Sequence, residues 1–473
     1  MPITPFFRRT ALSLCLLAPA LPALAGPNPT PLPPDVEAAL ARAQVPRDSL
    51  VALVQEVGQP ANRLAWQPHQ PVNPASLQKL LTTSAALDLL GPAWSWTTPV
   101  WIQGELTDGV LKGSLVIKGS GDPKLVVERL WLLLRRVQQL GVRDIQGDIV
   151  LDRSAFAVPP NDPAAFDGEP YRPSNAGPDA LMLNYKSVTY TFTPQPARNV
   201  ALVAADMPLA GVRVDATVPL LKGPCDDWRG DLRADFTDPA RVRFAGGYAA
   251  SCGERQWPTA YADPKAYNER ALAGLWRELG GKLSGRVRDG AAPATPPTFE
   301  VTSEPLAETI RDINKFSNNV MAQQLFLTLG ATQRGTGSPD QSRDVVRQWL
   351  VDRFGDNVAG TVVENGSGLS RDSRVTAQLL ARVLQAAWAG PAMPELMSSL
   401  PVSGIDGTMR RTRNANTGRA HLKTGSLRDV TGIAGYVLAN SGRRYVVVGV
   451  INHPNAAAAR PALEALVKWT ATD

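Results

Sequence analysis

Pro74-Ala75-Ser76-Leu77-Gln78-Lys79-Leu80-Leu81-Thr82 opens an apolar run that continues to Leu90 and stops at Gly91-Pro92. The run predicts a helix over 75–90, closed by a glycine and a proline that cannot extend it. Ser76 and Lys79 stand one helical turn apart, so hydroxyl and amine share a face and can meet. A serine at a helix N-terminus also sits in the positive end of the dipole, which favours an oxyanion there. A lysine is a base only when neutral, and burial beside a second cation achieves that. Alone, the Ser-x-x-Lys pattern is weak, because a helix start with a solvated lysine reads the same way.

Two further motifs lie downstream. Ser317-Asn318-Asn319 falls between predicted helices over 305–313 and 320–329. Read by itself it is a helix cap. Lys423-Thr424-Gly425-Ser426 precedes a predicted hairpin, strands over 432–439 and 443–452 turned at Ser441-Gly442. Read by itself it is a strand edge guarded by a lysine, although a strand glycine also lets a ligand backbone approach closely.

Taken in order, Ser-x-x-Lys on a helix, Ser-x-Asn between helices and Lys-Thr-Gly on a late strand form a far more specific set. It resembles the active-site set of the penicillin-recognising serine enzymes, the penicillin-binding proteins and serine β-lactamases. Gly119-Ser120-Gly121-Asp122-Pro123, Lys315-Phe316-Ser317-Asn318-Asn319, Gly366-Ser367-Gly368-Leu369-Ser370-Arg371 and Asp406-Gly407-Thr408 extend the likeness over nearly the whole chain. Together they resemble the class C low-molecular-mass penicillin-binding proteins, D-alanyl-D-alanine carboxypeptidase/endopeptidases of the penicillin-binding protein 4 type. Asn365 departs from the pattern, where the resemblance implies Asp. Ser426 stands where Thr is also common.

The resemblance implies a multidomain α/β transpeptidase-like fold: an antiparallel sheet flanked by helices, with large inserted α/β and β lobes. It implies an acyl-enzyme on Ser76, with Lys79 as base and Lys423 helping to keep Lys79 neutral. Ser317 would relay a proton to the leaving amine, and Asn319 would position Lys79 and a substrate amide. The N–H groups of Ser76 and Ser426 would form the oxyanion hole. Lys423 and Thr424, with Gly425 and Ser426 on the same strand, would hold the terminal carboxylate. Peptidoglycan stem peptides ending in D-Ala-D-Ala would be substrates and β-lactams covalent inhibitors, with no cofactor and no metal. The alternatives are a serine β-lactamase and a non-catalytic wall-binding protein of the same fold.

Composition agrees with this set. With 44% hydrophobic and 19% charged residues the chain is a folded one. Three His and three Cys leave little for a multi-ligand metal site or a His-based triad. A net charge of +6 without a dense basic run makes nucleic acid an unfavoured partner.

Residues 1–25 read as a secretory leader: Arg8-Arg9, an apolar core, then Ala23-Leu24-Ala25, with cleavage before Gly26. This predicts a periplasmic or secreted protein. Cys225 and Cys252 then remain. In an oxidising compartment they suggest a disulfide worth roughly 3 kcal/mol, and two unpaired core residues are the other possibility. The terminal segment with Arg460, Glu464, Lys468 and Asp473 lacks the faces of a membrane anchor. Residues 26–96 and 265–473 are expected to form a split catalytic domain. An α/β lobe over 97–152 and a mostly β lobe over 153–264 are expected between them.

Overall fold

The computed structural model describes Met1, residues 31–412 and 416–473. Beyond Met1, the leader over 1–25 and its cleavage point lie outside the described residues.

A five-stranded antiparallel sheet unites the two ends of the chain. Its order is Ala420–Leu427, Val430–Leu438, Arg444–Asn452, Leu50–Glu56 and Asn62–Trp66. Leu50–Glu56 pairs along its whole length with Arg444–Asn452, from Leu50 opposite Ile451 to Glu56 opposite Tyr445. These strands are apolar on both faces because both faces are covered. Side chains alternate across a strand, so Val51 and Leu53 join one core while Leu50, Ala52 and Val54 join the other. Helices Pro34–Arg42 and Arg460–Ala471 cover the second face. The first face meets a helical half that includes Lys79–Leu90, Leu306–Phe316, Asn319–Arg334 and Ala377–Ala389. The cleft lies where the edge strand Ala420–Leu427 runs past the start of the Lys79 helix.

The inserted domain extends further than the sequence suggests. Phe299–Thr302 pairs antiparallel with the start of Thr97–Thr107, Thr302 opposite Thr97 and Phe299 opposite Val100. The chain therefore leaves the catalytic domain near residue 97 and returns near 302, not at 265. Helix Tyr267–Glu278, expected in the catalytic half, buries Leu272, Leu275 and Trp276 in the inserted core. The expected division at residue 152 separates sheets but not cores. The seven-stranded sheet carrying Thr97–Thr107 shares one hydrophobic cluster with the five-stranded sheet carrying Ser187–Gln195. Cys225 and Cys252 are joined as a disulfide in this β-rich part.

Helix Pro339–Phe354 was not expected from the sequence. Its start is marked, with Ser338 capping Gln341 N and Pro339 in the first turn. Its apolar stripe is narrow, with only Val345, Val346, Trp349 and Leu350 as buried apolar residues among many charges.

Candidate active site

The chain enters the cleft through a turn that is strained before it is chemical. Ala75 has φ +47°, in the left-handed region that costs a side-chain-bearing residue about 1 kcal/mol or more. Asn73 holds it there: its Oδ1 accepts from Ala75 N at 2.9 Å, and its Nδ2 donates to Ser370 O at 2.9 Å. A 3₁₀ turn, Ala75–Gln78, follows and passes into the α-helix Lys79–Leu90. The predicted single helix is thus two segments, and the Ser-x-x-Lys pair spans their joint.

Lys79 is fully buried. Its Nζ lies 2.9 Å from Ser76 Oγ, 2.7 Å from Asn319 Oδ1 and 2.6 Å from the carbonyl of Ser367. A neutral amine has two N–H donors and one lone pair. The Asn319 and Ser367 oxygens can only accept, so they take both donors and turn the lone pair toward the Ser76 hydroxyl. That is the arrangement of a base and its nucleophile. Burial holds Lys79 well below the ordinary lysine range, and the nearby Lys423 charge pushes it the same way.

Lys423 is the second buried lysine. Its Nζ reaches Ser317 Oγ at 2.8 Å and Thr424 O at 2.7 Å. Burial pushes it down to about 7. Ser317 sits in the left-handed region at φ +57°, ending helix Leu306–Phe316. The cap of the next helix is Asn318, which accepts from Met321 N. Capping therefore falls to the middle residue of the triplet, and Ser317 and Asn319 are free to face the two lysines.

The edge strand closes the cleft. A Cβ on Gly425 would stand 2.8 Å from Pro74 O and 3.2 Å from Ser76 N, so a larger residue would push the strand away from Ser76. Thr408 Oγ1 lies 2.8 Å from Thr424 Oγ1. Asp406 fixes that segment by pairing with Lys315 at 2.6 Å and accepting from Val402 N.

Sequence reasoning missed the Ser367 carbonyl, because a main-chain acceptor has no residue signature. Its support is visible in Asn365. Asn365 Oδ1 accepts from Ser367 N, Ser367 Oγ and Gly368 N, while its Nδ2 donates to Leu369 O at 2.8 Å. An aspartate could accept these three bonds but could not donate the fourth. Gly368 at φ +79° brings the loop against the turn that carries Ser76, where a Cβ would fall 1.9 Å from Ala75 O. The string Gly119-Ser120-Gly121-Asp122-Pro123 lies elsewhere, at the junction with the inserted domain. There Gln324 Nε2 donates to Gly121 O, and Lys124 pairs with Glu304 and Asp312.

A cavity of about 310 Å³ opens beside Ser76. Ser76, Ser317, Thr424 and Ser426 line its catalytic side, and Arg460 and Glu464 line it from the terminal helix. Neither Lys79 nor Lys423 reaches its wall. Among the described residues, no group of His, Cys, Asp and Glu could hold a metal ion, and no helix is long and apolar enough to cross a membrane.

Known proteins share this architecture. Residues 32–473 match the D-Ala-D-Ala carboxypeptidase 3 (S13) family. A D-alanyl-D-alanine carboxypeptidase from an Actinomadura species is 29% identical over 402 residues, covering 77% of this chain and 70% of that one. D-alanyl-D-alanine carboxypeptidase DacB of Haemophilus influenzae is 25% identical over 397 residues, 80% of each chain. The crystal structure of penicillin binding protein 4 from Haemophilus influenzae superimposes with a TM-score of 0.72 at 22% identity, over 91% of this chain and 99% of that one. At that identity the superposition establishes the fold.

Proposed function

The chain belongs to the D-Ala-D-Ala carboxypeptidase 3 (S13) family, and from that premise we propose how its residues carry out the reaction of a serine D-Ala-D-Ala carboxypeptidase acting on peptidoglycan. The carrying observation is the pairing of two buried lysines with two serines, Lys79 with Ser76 and Lys423 with Ser317. Ser76 attacks the carbonyl between the last two D-Ala residues of a stem peptide. Neutral Lys79 takes the hydroxyl proton as the bond forms. The N–H groups of Ser76 and Ser426 receive the developing oxyanion, typically worth about 3–4 kcal/mol per donor. The proton that Lys79 took passes by way of Ser317, bonded to Lys423, to the leaving amine, so that D-Ala departs and Lys79 is neutral again. Water, activated by the same Lys79, then releases the shortened peptide from Ser76.

β-Lactams enter by the same acylation and remain on Ser76. Where the leaving amine belongs to a neighbouring stem peptide, the same steps cut a cross-link. The wall substrate and the leader read over residues 1–25 support a location in the cell envelope, periplasmic or secreted, which fractionation of cells expressing the full chain checks.

Labelling with a fluorescent penicillin tests the nucleophile. Wild-type protein is expected to take up one label and Ser76→Ala none, with D-Ala release from a pentapeptide lost in parallel. A folded wild-type protein that neither labels nor releases D-Ala would overturn the reading. Label retained by Ser76→Ala would move the nucleophile elsewhere.

A further inference from the structure

We propose that Arg460, at the start of the terminal helix, is a specificity-determining residue that supplies the positive charge for the carboxylate of the leaving residue. The inference rests on the reaction proposed above and adds a residue outside the three motifs.

Strand alternation carries the first step. Along Ala420–Leu427, Lys423 and Gly425 point one way, and Leu422, Thr424 and Ser426 point the other. Gly425 faces the nucleophile turn. Leu422 faces the terminal helix, sharing a core with Leu463 and Val467. The Thr424 hydroxyl therefore opens toward the terminal helix, on the side of the strand that the Lys423 amine does not reach.

The second step is an inventory of charge. A carboxylate needs a partner that remains cationic in its own cavity. The Lys423 amine is fully buried and already bonded to Ser317 Oγ and Thr424 O. Burial also brings it down to about 7, so it is only partly charged at neutral pH. Arg460 is the one cationic side chain among the described residues lining the cavity. It is exposed, and it has no ion pair or side-chain hydrogen bond among the described residues. A guanidinium stays charged throughout the working range and is shaped for a carboxylate.

The third step concerns sign. Glu464 lies one helical turn beyond Arg460, lines the same cavity and is likewise unpaired among the described residues. It opposes an incoming carboxylate while Arg460 attracts it. The two positions on one helix should therefore shift preference in opposite directions.

The test compares two acylated peptides, one ending in D-Ala-D-Ala with its free carboxylate and one with that carboxylate converted to the carboxamide. The readout is the ratio of their kcat/KM values in the full chain. Wild type is expected to prefer the acid. Arg460→Gln should lower that preference about tenfold, mainly through KM, and Arg460→Lys should restore part of it. Glu464→Gln should raise it about two- to threefold. A preference untouched by Arg460→Gln, or a wild type that treats acid and amide alike, overturns the inference while D-Ala release leaves the proposed reaction standing. A wild type that releases no D-Ala from the acid brings down that reaction and this inference with it.

Discussion

Lys79 in the cleft and Lys124 at the junction with the inserted domain are both drawn in from solvent, but only one has carboxylates beside it. Lys124 Nζ lies 2.7 Å from Glu304 and 2.8 Å from Asp312. Burial lowers its proton affinity, and its bonds to Asp312 and Glu304 more than offset that, so it ends above the usual range. Lys79 is buried among neutral acceptors with Lys423 nearby, and it ends well below that range. The same side chain is thus held as a cation in one place and drawn toward its neutral form in the other. The difference lies in what the neighbouring segments present: carboxylates at the junction, an amide oxygen and a main-chain carbonyl in the cleft.

The largest effect should come from removing the base. Lys79→Met is expected to slow penicillin acylation about 10²- to 10⁴-fold. Thermal stability should hold or rise, because a buried amine is replaced by an apolar chain. Stopped-flow acylation and thermal melts check both halves. Lys423→Met should cost less, about ten- to a hundredfold, by removing the charge that depresses Lys79 and the partner of Ser317.

At the junction the pattern should invert. Lys124→Met is expected to lose about 1 kcal/mol, since its partners are partly exposed and screened, with no change in acylation rate. Urea melts beside labelling assays separate these outcomes. An acylation defect as large as that of Lys423→Met would break the comparison.

Asp122 sharpens it further. Burial raises its carboxyl to about 6, against the pull of Lys124 N–H and the nearby cations. The folded state then holds this proton at a pH where the unfolded chain, near 3.9, has released it. The contribution is complete below about pH 4 and is lost as pH rises through about 6. Asp122→Asn should therefore match wild-type stability near pH 4 and exceed it by about 1–3 kcal/mol at pH 7, read from melts at both values.

Much of the site was legible because its chemistry is carried by side chains at short spacings. Ser76 and Lys79 lie a turn apart, and Ser317 and Asn319 flank a cap. The central sheet was legible in outline too, since its late strands are long and apolar. Features made by non-local pairing were not. The return strand Phe299–Thr302 is short and half-exposed, and it declares itself only by lying against Thr97. The Ser367 carbonyl has no side-chain signal. In the sequence Arg460 is one charge on an ordinary helix, and only the fold makes it line one cavity with Ser76. Asn365 stood out as a departure from the expected Asp, and its fourth hydrogen bond gives that departure a physical reason.

The neutrality of Lys79 is the central claim, and the pH dependence of Ser76 acylation tests it most directly. The second-order rate for a penicillin should be measured from about pH 5 to 10 in wild type and in Asn319→Asp. Asn319 Oδ1 touches Lys79 Nζ at 2.7 Å, so the variant sets a carboxylate against the amine and should hold its proton. On its acid limb wild type is predicted to lose rate as Lys79 is protonated, well below the ordinary lysine range. Asn319→Asp should move that limb upward by about one to three pH units. Coincident profiles, or a wild-type limb at the ordinary lysine value near 10.4, would contradict the account.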